Sequence, residues 1–157
     1  MKILSKEQSY EADRRTLAAQ GISSTELMER AAASIFNWLH NRLQGAPVRI
    51  HIFCGTGNNG GDGLAVARHL AEHGYHIQVY LVNYSEKRSG DFRINLERLR
   101  QRKIEPESLD ADSGLPDISE ADILLDAIFG IGLSRPPAPW VRNLIAHMNA
   151  ADAFRLA

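Results

Sequence analysis

An α/β fold with a mostly parallel sheet, preceded by two helices, is what this sequence predicts, and three observations predict it. Short apolar, β-branched runs at 48–53, 76–82 and 121–125 alternate with segments of helix length. Two helical patterns with start signals come before the first run. A glycine-dense turn follows that run directly and leads into a helix. Strands alternating with helices of this length pair in parallel through right-handed crossovers.

The first helix runs from about Ser5 to Ala19, opened by Ser5 and Gln8 at capping-box spacing and ended by Gly21. Ser23 and Glu26 repeat that signal, and a longer helix spans Ser24 to Leu43. Its Leu27, Ala31, Ile35, Leu39 and Leu43 recur every four residues beside Met28, Ala32 and Phe36, a stripe that must cover a core. Gly45 and Pro47 break the pattern. Val48 to Phe53 then alternates and is β-branched, which gives the first strand. Asp62 to His73 reads as a helix stopped by Gly74, and His76 to Val82 as the second strand. Ser89 to Arg102 is a polar helix anchored by Phe92, Ile94, Leu96 and Leu99. Residues 105–120 are acidic and carry Pro106, Gly114 and Pro116, so they form mostly loop. Ala121 to Leu125 is a third, buried strand, and Trp140 to Asn149 a closing helix.

At 157 residues the chain suits one domain, 1–157, large enough for one core without staples. A net charge of −1 gives no electrostatic footprint for nucleic acid or an anionic membrane. The Arg-rich helix after Ser89 is diluted by Asp91 and Glu97 and has no aromatic stripe, which argues against nucleic acid again. The single cysteine, Cys54, forms no internal disulfide and reads as a small buried hydrophobe. No secretory signal and no apolar run of about 18 residues is present, so the expectation is a cytoplasmic protein without a membrane span. His69 and His73 have the i, i+4 spacing of a zinc pair, but nothing clusters with them, and a solvated helix face accounts for both.

Chemistry concentrates in two loops at strand ends, where open α/β sheets bind ligands. In the first, Gly55, Gly57 and Gly60 satisfy G-x-G-x-x-G between strand and helix, with Gly61 and Gly63 close behind. Glycine there permits positive φ and close approach to bare backbone. Two features depart from an ordinary dinucleotide motif. The second strand ends in Val82-Asn83 with no carboxylate before Glu86, where a ribose-binding acid belongs. Asp62 at the start of the helix would repel a pyrophosphate. Asn58, Asn59 and Asp62 instead offer amide and carboxylate oxygens, suited to a hard cation or a polar substrate. A tight turn followed by an ordinary N-terminal helix acid would also explain the segment; five glycines among ten residues favour exposed backbone.

In the second loop Asp126 follows the apolar run 123–125, and Gly130, Gly132 and Arg135 follow it. An acid at the end of a buried strand faces the ligand crevice, the glycines expose amides, and Arg135 offers a fork matched to phosphate. A capping acid and a solvated arginine are the plainer alternative.

On these residues the chain resembles the NAD(P)H-hydrate epimerases, or YjeF N-terminal domains, over essentially its whole length. Glu11 to Arg14 and Gly21 to Ala31 resemble the leading helices, Gly55 to Leu70 the family signature, and Asp126 to Pro136 the second motif, with Ile131 where threonine is usual. The resemblance implies a Rossmann-like three-layer α/β/α sandwich, a homodimer, and a potassium ion beside the substrate. Carried over by position, Asn58, Asn59, Gly60, Gly61 and Asp62 contact the substrate and Asn59 and Asp126 ligate potassium. Gly130, Ile131, Gly132, Leu133, Ser134, Arg135 and Pro136 wrap the nucleotide phosphates. The implied reaction interconverts the R and S epimers of hydrated NADH or NADPH, serving a separate S-specific dehydratase. Family members continue beyond the helix ending near Asn149 into a strand closing on Asp-Ile-Pro-Ser-Gly, so the domain is expected to be incomplete relative to the family. Only Asp62 and Asp126 among the residues present offer an acid or base, and neither is assigned. A catalytically inactive nucleotide- or partner-binding module of the same fold is the competing reading. An oxidoreductase is disfavoured by the missing strand-two acid and by Asp62.

Overall fold

The protein is described here by a computed structural model covering residues 4–157. In chain order its elements are α1 (Lys6–Gln20), α2 (Ser24–Leu43), β1 (Arg49–Cys54), α3 (Asn58–Glu72), β2 (His76–Val82), α4 (Gly90–Arg100), β3 (Glu107–Leu109), β4 (Ile123–Ala127), α5 (Pro139–Ala150) and β5 (Phe154–Leu156). Both predicted capping boxes form, Ser5 with Gln8 and Ser23 with Glu26, and Gly21 takes the left-handed conformation that ends α1. No helix among the described residues is long and apolar enough to cross a membrane.

The five strands are all parallel, in the order β3-β2-β1-β4-β5. The chain winds outward from β1 in one direction through β2 and β3, then returns to β1's other side with β4. The strand order therefore reverses between β1 and β4, the place where such sheets hold ligands. Phe36 and Leu39 of α2, Leu64 and Leu70 of α3 and Phe92 and Leu99 of α4 pack with Ile50, Ile52 and Leu125 in one apolar cluster. Val141, Leu144 and Met148 of α5 pack with Phe53, Tyr80 and Leu124 in a second. Residues one apart along β1 fall in different clusters, as strand geometry requires when helices cover both faces. This is the three-layer Rossmann-like sandwich. From Ile50 to Cys54 every residue of β1 is buried, so its alternation in sequence did not mark a solvent face.

Three elements differ most from the sequence expectation, in their bounds or their existence. Helix α3 begins at Asn58 rather than Asp62, and Asp62 is its fifth residue. The stretch 105–120 is not all loop, because Glu107–Leu109 pairs with Tyr80–Val82 as a parallel edge strand. Strand β4 sits two residues further on than expected, so Asp126 lies within it, paired with Phe53. After α5, the strand that the family resemblance places there is present at Phe154–Leu156 as β5, alongside Ile123–Leu125.

A buried polar network fastens β1, β2 and the entry to β4. Asp122 accepts from the Arg49 guanidinium at 2.7 and 3.2 Å and from the Ser119 N–H at 2.7 Å. His51, 1% exposed, bridges Asp122 and the Tyr80 hydroxyl, each at 3.1 Å. Burial opposes charge on Asp122, but Arg49, the Ser119 amide and His51 together outweigh it and hold its carboxyl at about 2. The ordinary value is 3.8. A depressed carboxyl contributes stability above its unfolded pKa and loses it as pH falls through the folded one. The contribution is therefore present above about pH 4 and disappears toward pH 2, amounting to about 2 kcal/mol. Asp122→Asn is expected to lose about that much at pH 6 and to flatten the fall in urea midpoint between pH 5 and pH 2. An unchanged acid slope in the variant would assign that slope to other carboxyls.

Candidate functional site

The two glycine turns leave adjacent strands and meet. Gly55 directly follows β1, its N–H donating to the Ala127 carbonyl at the end of β4 at 3.0 Å. A Cβ on Gly55 would stand 1.9 Å from the Ile128 carbonyl oxygen, and one on Gly60 would stand 1.8 Å from the Gly55 carbonyl oxygen. The backbones of the two loops and the first turn of α3 thus stack at distances no side chain permits. None of Gly55, Gly57, Gly60, Gly61 and Gly63 has positive φ, so space rather than φ explains these glycines, contrary to one ground of the sequence reading. The Ser89 N–H, at the cap of α4, donates to the Thr56 carbonyl at 3.1 Å and ties the first turn to α4.

Asn59 and Asp126 come to consecutive residues of one loop. The Asn59 Nδ2 donates to the Phe129 carbonyl at 3.0 Å, while the Asp126 Oδ1 accepts from the Ile128 N–H at 2.9 Å. These bonds leave the Asn59 Oδ1 and the second Asp126 carboxylate oxygen uncommitted, and amide and carboxylate oxygens form a donor set that suits a hard cation. Gly130 lies against Asn59, where a Cβ would be 3.3 Å from the Asn59 Cβ. The Tyr84 ring tilts against Phe129 with centroids 4.9 Å apart, closing the base of the second loop.

Asp62 is placed differently from its expected role. It belongs to the second turn of α3, and no acid occupies the first turn. The objection that it bars an anion from the helix start therefore falls: Gly57 caps the helix with no side-chain hydrogen bond, leaving the amides of Asn58 to Gly60 without an intrahelical partner. Burial, and then the nearby charges of Asp91 and Asp13, raise its carboxyl to about 7. Asp91 is itself buried and accepts from the Thr25 hydroxyl.

The remaining predicted residues, Gly130 to Pro136, are exposed. Of these, Gly132 meets α1: a Cβ there would be 3.4 Å from the Tyr10 hydroxyl. Helix α1 buries nothing in the core, and instead it brings Tyr10 to the second loop and Asp13 near Asp62. Sequence reasoning missed Tyr10, Asp13, Asp91 and Tyr84. The only available hint was the Glu11 to Arg14 segment, which carried no role of its own.

Elsewhere, Cys54 is fully buried and burial pushes its thiol up, as a packing cysteine should behave. His69 is not on a solvated face: it meets Glu29 at 2.7 Å, and both its ring and that of His73 pack on Phe36. Among the described residues no group of three or more side chains could hold a metal through His, Cys, Asp and Glu alone.

A doubly wound sheet with two interlocked glycine turns at its switch point defines an α/β domain of the ligand-binding, Rossmann-like class. The profile of one such family, described as YjeF-related protein N-terminus, matches residues 24–157, and the chain belongs to that family. It is 38% identical over 142 residues to an NAD(P)H-hydrate epimerase of Rhodobacter capsulatus, covering 86% of this chain and 65% of that protein. The corresponding enzyme of Oenococcus oeni is 32% identical, with 98% of this chain and 71% of that protein covered. A bifunctional NAD(P)H-hydrate repair enzyme Nnr of Thermofilum pendens is 37% identical over 90% of this chain, which spans 28% of its length. The crystal structure of yeast ynu0 superimposes with a TM-score of 0.79 at 27% identity, covering 96% of this chain and 68% of that one.

Proposed function

We propose that this chain carries the epimerase site for hydrated NADH and NADPH, interconverting the R and S forms for an S-specific dehydratase. The observation that supports the reading is the meeting of the two glycine turns, which brings Asn59 to the loop that follows Asp126; Asp62, its carboxyl raised to about 7 by burial and by Asp91 and Asp13, stands three residues along α3 from Asn59. The names of its relatives, two of them hydrate epimerases, support it.

In this reading Asn58 to Asp62 contact the nicotinamide half, and Gly130 to Pro136 take the phosphates through backbone amides and Arg135. Potassium, held by Asn59 and Asp126, supplies fixed positive charge beside the substrate. A homodimer is the assembly expected of the family. Water added to a dihydronicotinamide at the carbon next to the ring nitrogen gives a carbinolamine. Inverting that carbon requires its C–O bond to break and re-form from the opposite face. Protonated Asp62 donates its proton to the departing hydroxyl, which leaves as water while the nitrogen lone pair forms the C=N bond. Water then adds from the other face and returns a proton to the Asp62 carboxylate, restoring the starting state.

The test is an assay of the purified chain on the R epimer, coupled to an S-specific dehydratase, in potassium and in choline salts of equal ionic strength. Consumption of R well above its spontaneous rate, and faster in potassium, is expected. An R pool that decays only at the spontaneous rate while NADP still binds would identify a binding module of the same fold.

A further inference from the structure

The C-terminal edge of the sheet extends past the glycine turns to a second concavity that the reaction chemistry does not use. Beyond β3 the chain is tied to the end of β2, with the Asn83 N–H donating to the Leu109 carbonyl at 2.9 Å. A hydrogen-bonded turn follows. Asp110 Oδ1 accepts from the Asp112 N–H at 3.0 Å and from the Ser113 hydroxyl at 2.9 Å. This turn and the start of α5 enclose a cavity of about 150 Å³, with Leu109, Leu115, Trp140 and Leu144 as apolar walls and Asp110 and Asn143 as polar ones. That is below the roughly 300 Å³ at which pockets for whole drug-sized ligands begin. It is space for one ring system.

Three observations say which ring. Trp140 is the second residue of α5, four positions after Pro136, so the loop assigned to the phosphates runs directly into the cavity wall. The cavity lies at the end of β3, two strands from β1, or about 10 Å at ~4.8 Å per strand. A dinucleotide laid across the strand ends has its two bases separated on that scale, on opposite sides of the phosphates. Finally, hydrogen bonds from Ser113 and the 112 and 113 amides hold the Asp110 carboxyl below the usual carboxylate range. A negative charge there disfavours phosphate and accepts from an amino group. The Asn143 amide carries the adjacent donor and acceptor that match an adenine edge.

We propose that this cavity is the subsite for the adenine ring of the substrate, stacked on Trp140 with its amino edge toward Asp110 and Asn143. The inference rests on the nucleotide reading of the glycine turns and is tested separately from it. Binding of NADP, AMP and nicotinamide mononucleotide would be measured by calorimetry on the full chain, and by Trp140 emission in a Trp38→Phe background. AMP and NADP quench Trp140, and nicotinamide mononucleotide does not. Trp140→Ala weakens NADP binding roughly ten-fold, the loss of one base–aromatic stack, with nicotinamide mononucleotide unaffected. Trp140→Phe restores most of it. Leu115→Glu, at the 54% exposed mouth, weakens AMP without touching the fold. NADP affinity unchanged in Trp140→Ala and Leu115→Glu, with turnover intact, overturns the adenine subsite alone. Failure of the unaltered chain to bind NADP or nicotinamide mononucleotide overturns the nucleotide reading, and the subsite with it.

Discussion

Gly60→Ala is expected to abolish nucleotide binding and to lower stability by about 3 kcal/mol or more, while Gly57→Ala, three residues earlier, costs only the poorer N-cap, about 1 kcal/mol or less. The two glycines look equivalent in sequence. In the fold they are not. A methyl group on Gly60 would sit 1.8 Å from the Gly55 carbonyl oxygen and 2.6 Å from its carbonyl carbon, both backbone atoms that cannot rotate away. Gly55 is in turn pinned by its N–H bond to Ala127 and by the Ile128 carbonyl beside it. Admitting the methyl group therefore means moving α3 away from the end of β1, or β1 away from β4. Either movement separates Asn59 from Phe129 and opens the crevice. Gly57 has φ −94° and nothing within 4 Å of a Cβ, so alanine fits there. Urea midpoints for both variants and NADP titration of whatever folds provide the comparison. A Gly60→Ala protein with unaltered midpoint would show that the two turns are not packed as described.

The same contrast explains what was legible in the sequence. Helix α2 was readable to the residue because two signals agree, a capping box at Ser23–Glu26 and an apolar stripe ending at Leu43. Strand β2 was equally plain between Gly74 and Asn83. The start of α3 was not, because Asn58, Asn59, Gly60 and Gly61 are poor helix formers, and local propensity puts the boundary at Asp62. Packing overrides propensity there: the turn packs so closely under the Gly55 carbonyl that position 60 admits no side chain. Strand β3 escaped because three residues, two of them polar and exposed, give no periodicity, and Pro106 precedes them. In the site, the approach of Asn59 to the loop that follows Asp126 was recoverable because glycine spacing and the end of an apolar run mark strand ends. Tyr10, Asp13 and Asp91 were not, since each stands on a polar helix whose pattern says nothing about which strand end it will reach.

Asp62→Asn should lower kcat by about 10²- to 10⁴-fold, the usual worth of a positioned acid or base, yet leave a protein more stable than the parent above pH 4. The opposite signs follow from one cause. Burial and the charges of Asp91 and Asp13 hold the Asp62 carboxyl at about 7, against an ordinary 3.8. Between those values the folded chain binds a proton that the unfolded chain has lost, so stability declines as pH rises from about 4 to about 7 and stays lowered beyond. An amide at 62 carries no charge to bury, and the variant lacks that decline. The parent's kcat/KM, after subtraction of the spontaneous rate, should fall as pH rises through about 7, because proton donation to the departing hydroxyl begins from the neutral carboxyl. Relieving the repulsion shifts that fall downward: Asp91→Asn, which removes one neighbouring charge, should move the midpoint to lower pH while keeping most of the activity. A profile that ignores Asp91→Asn, or an Asp62→Asn enzyme with nearly full kcat, would assign the proton transfer to another group and leave Asp62 as a substrate contact only.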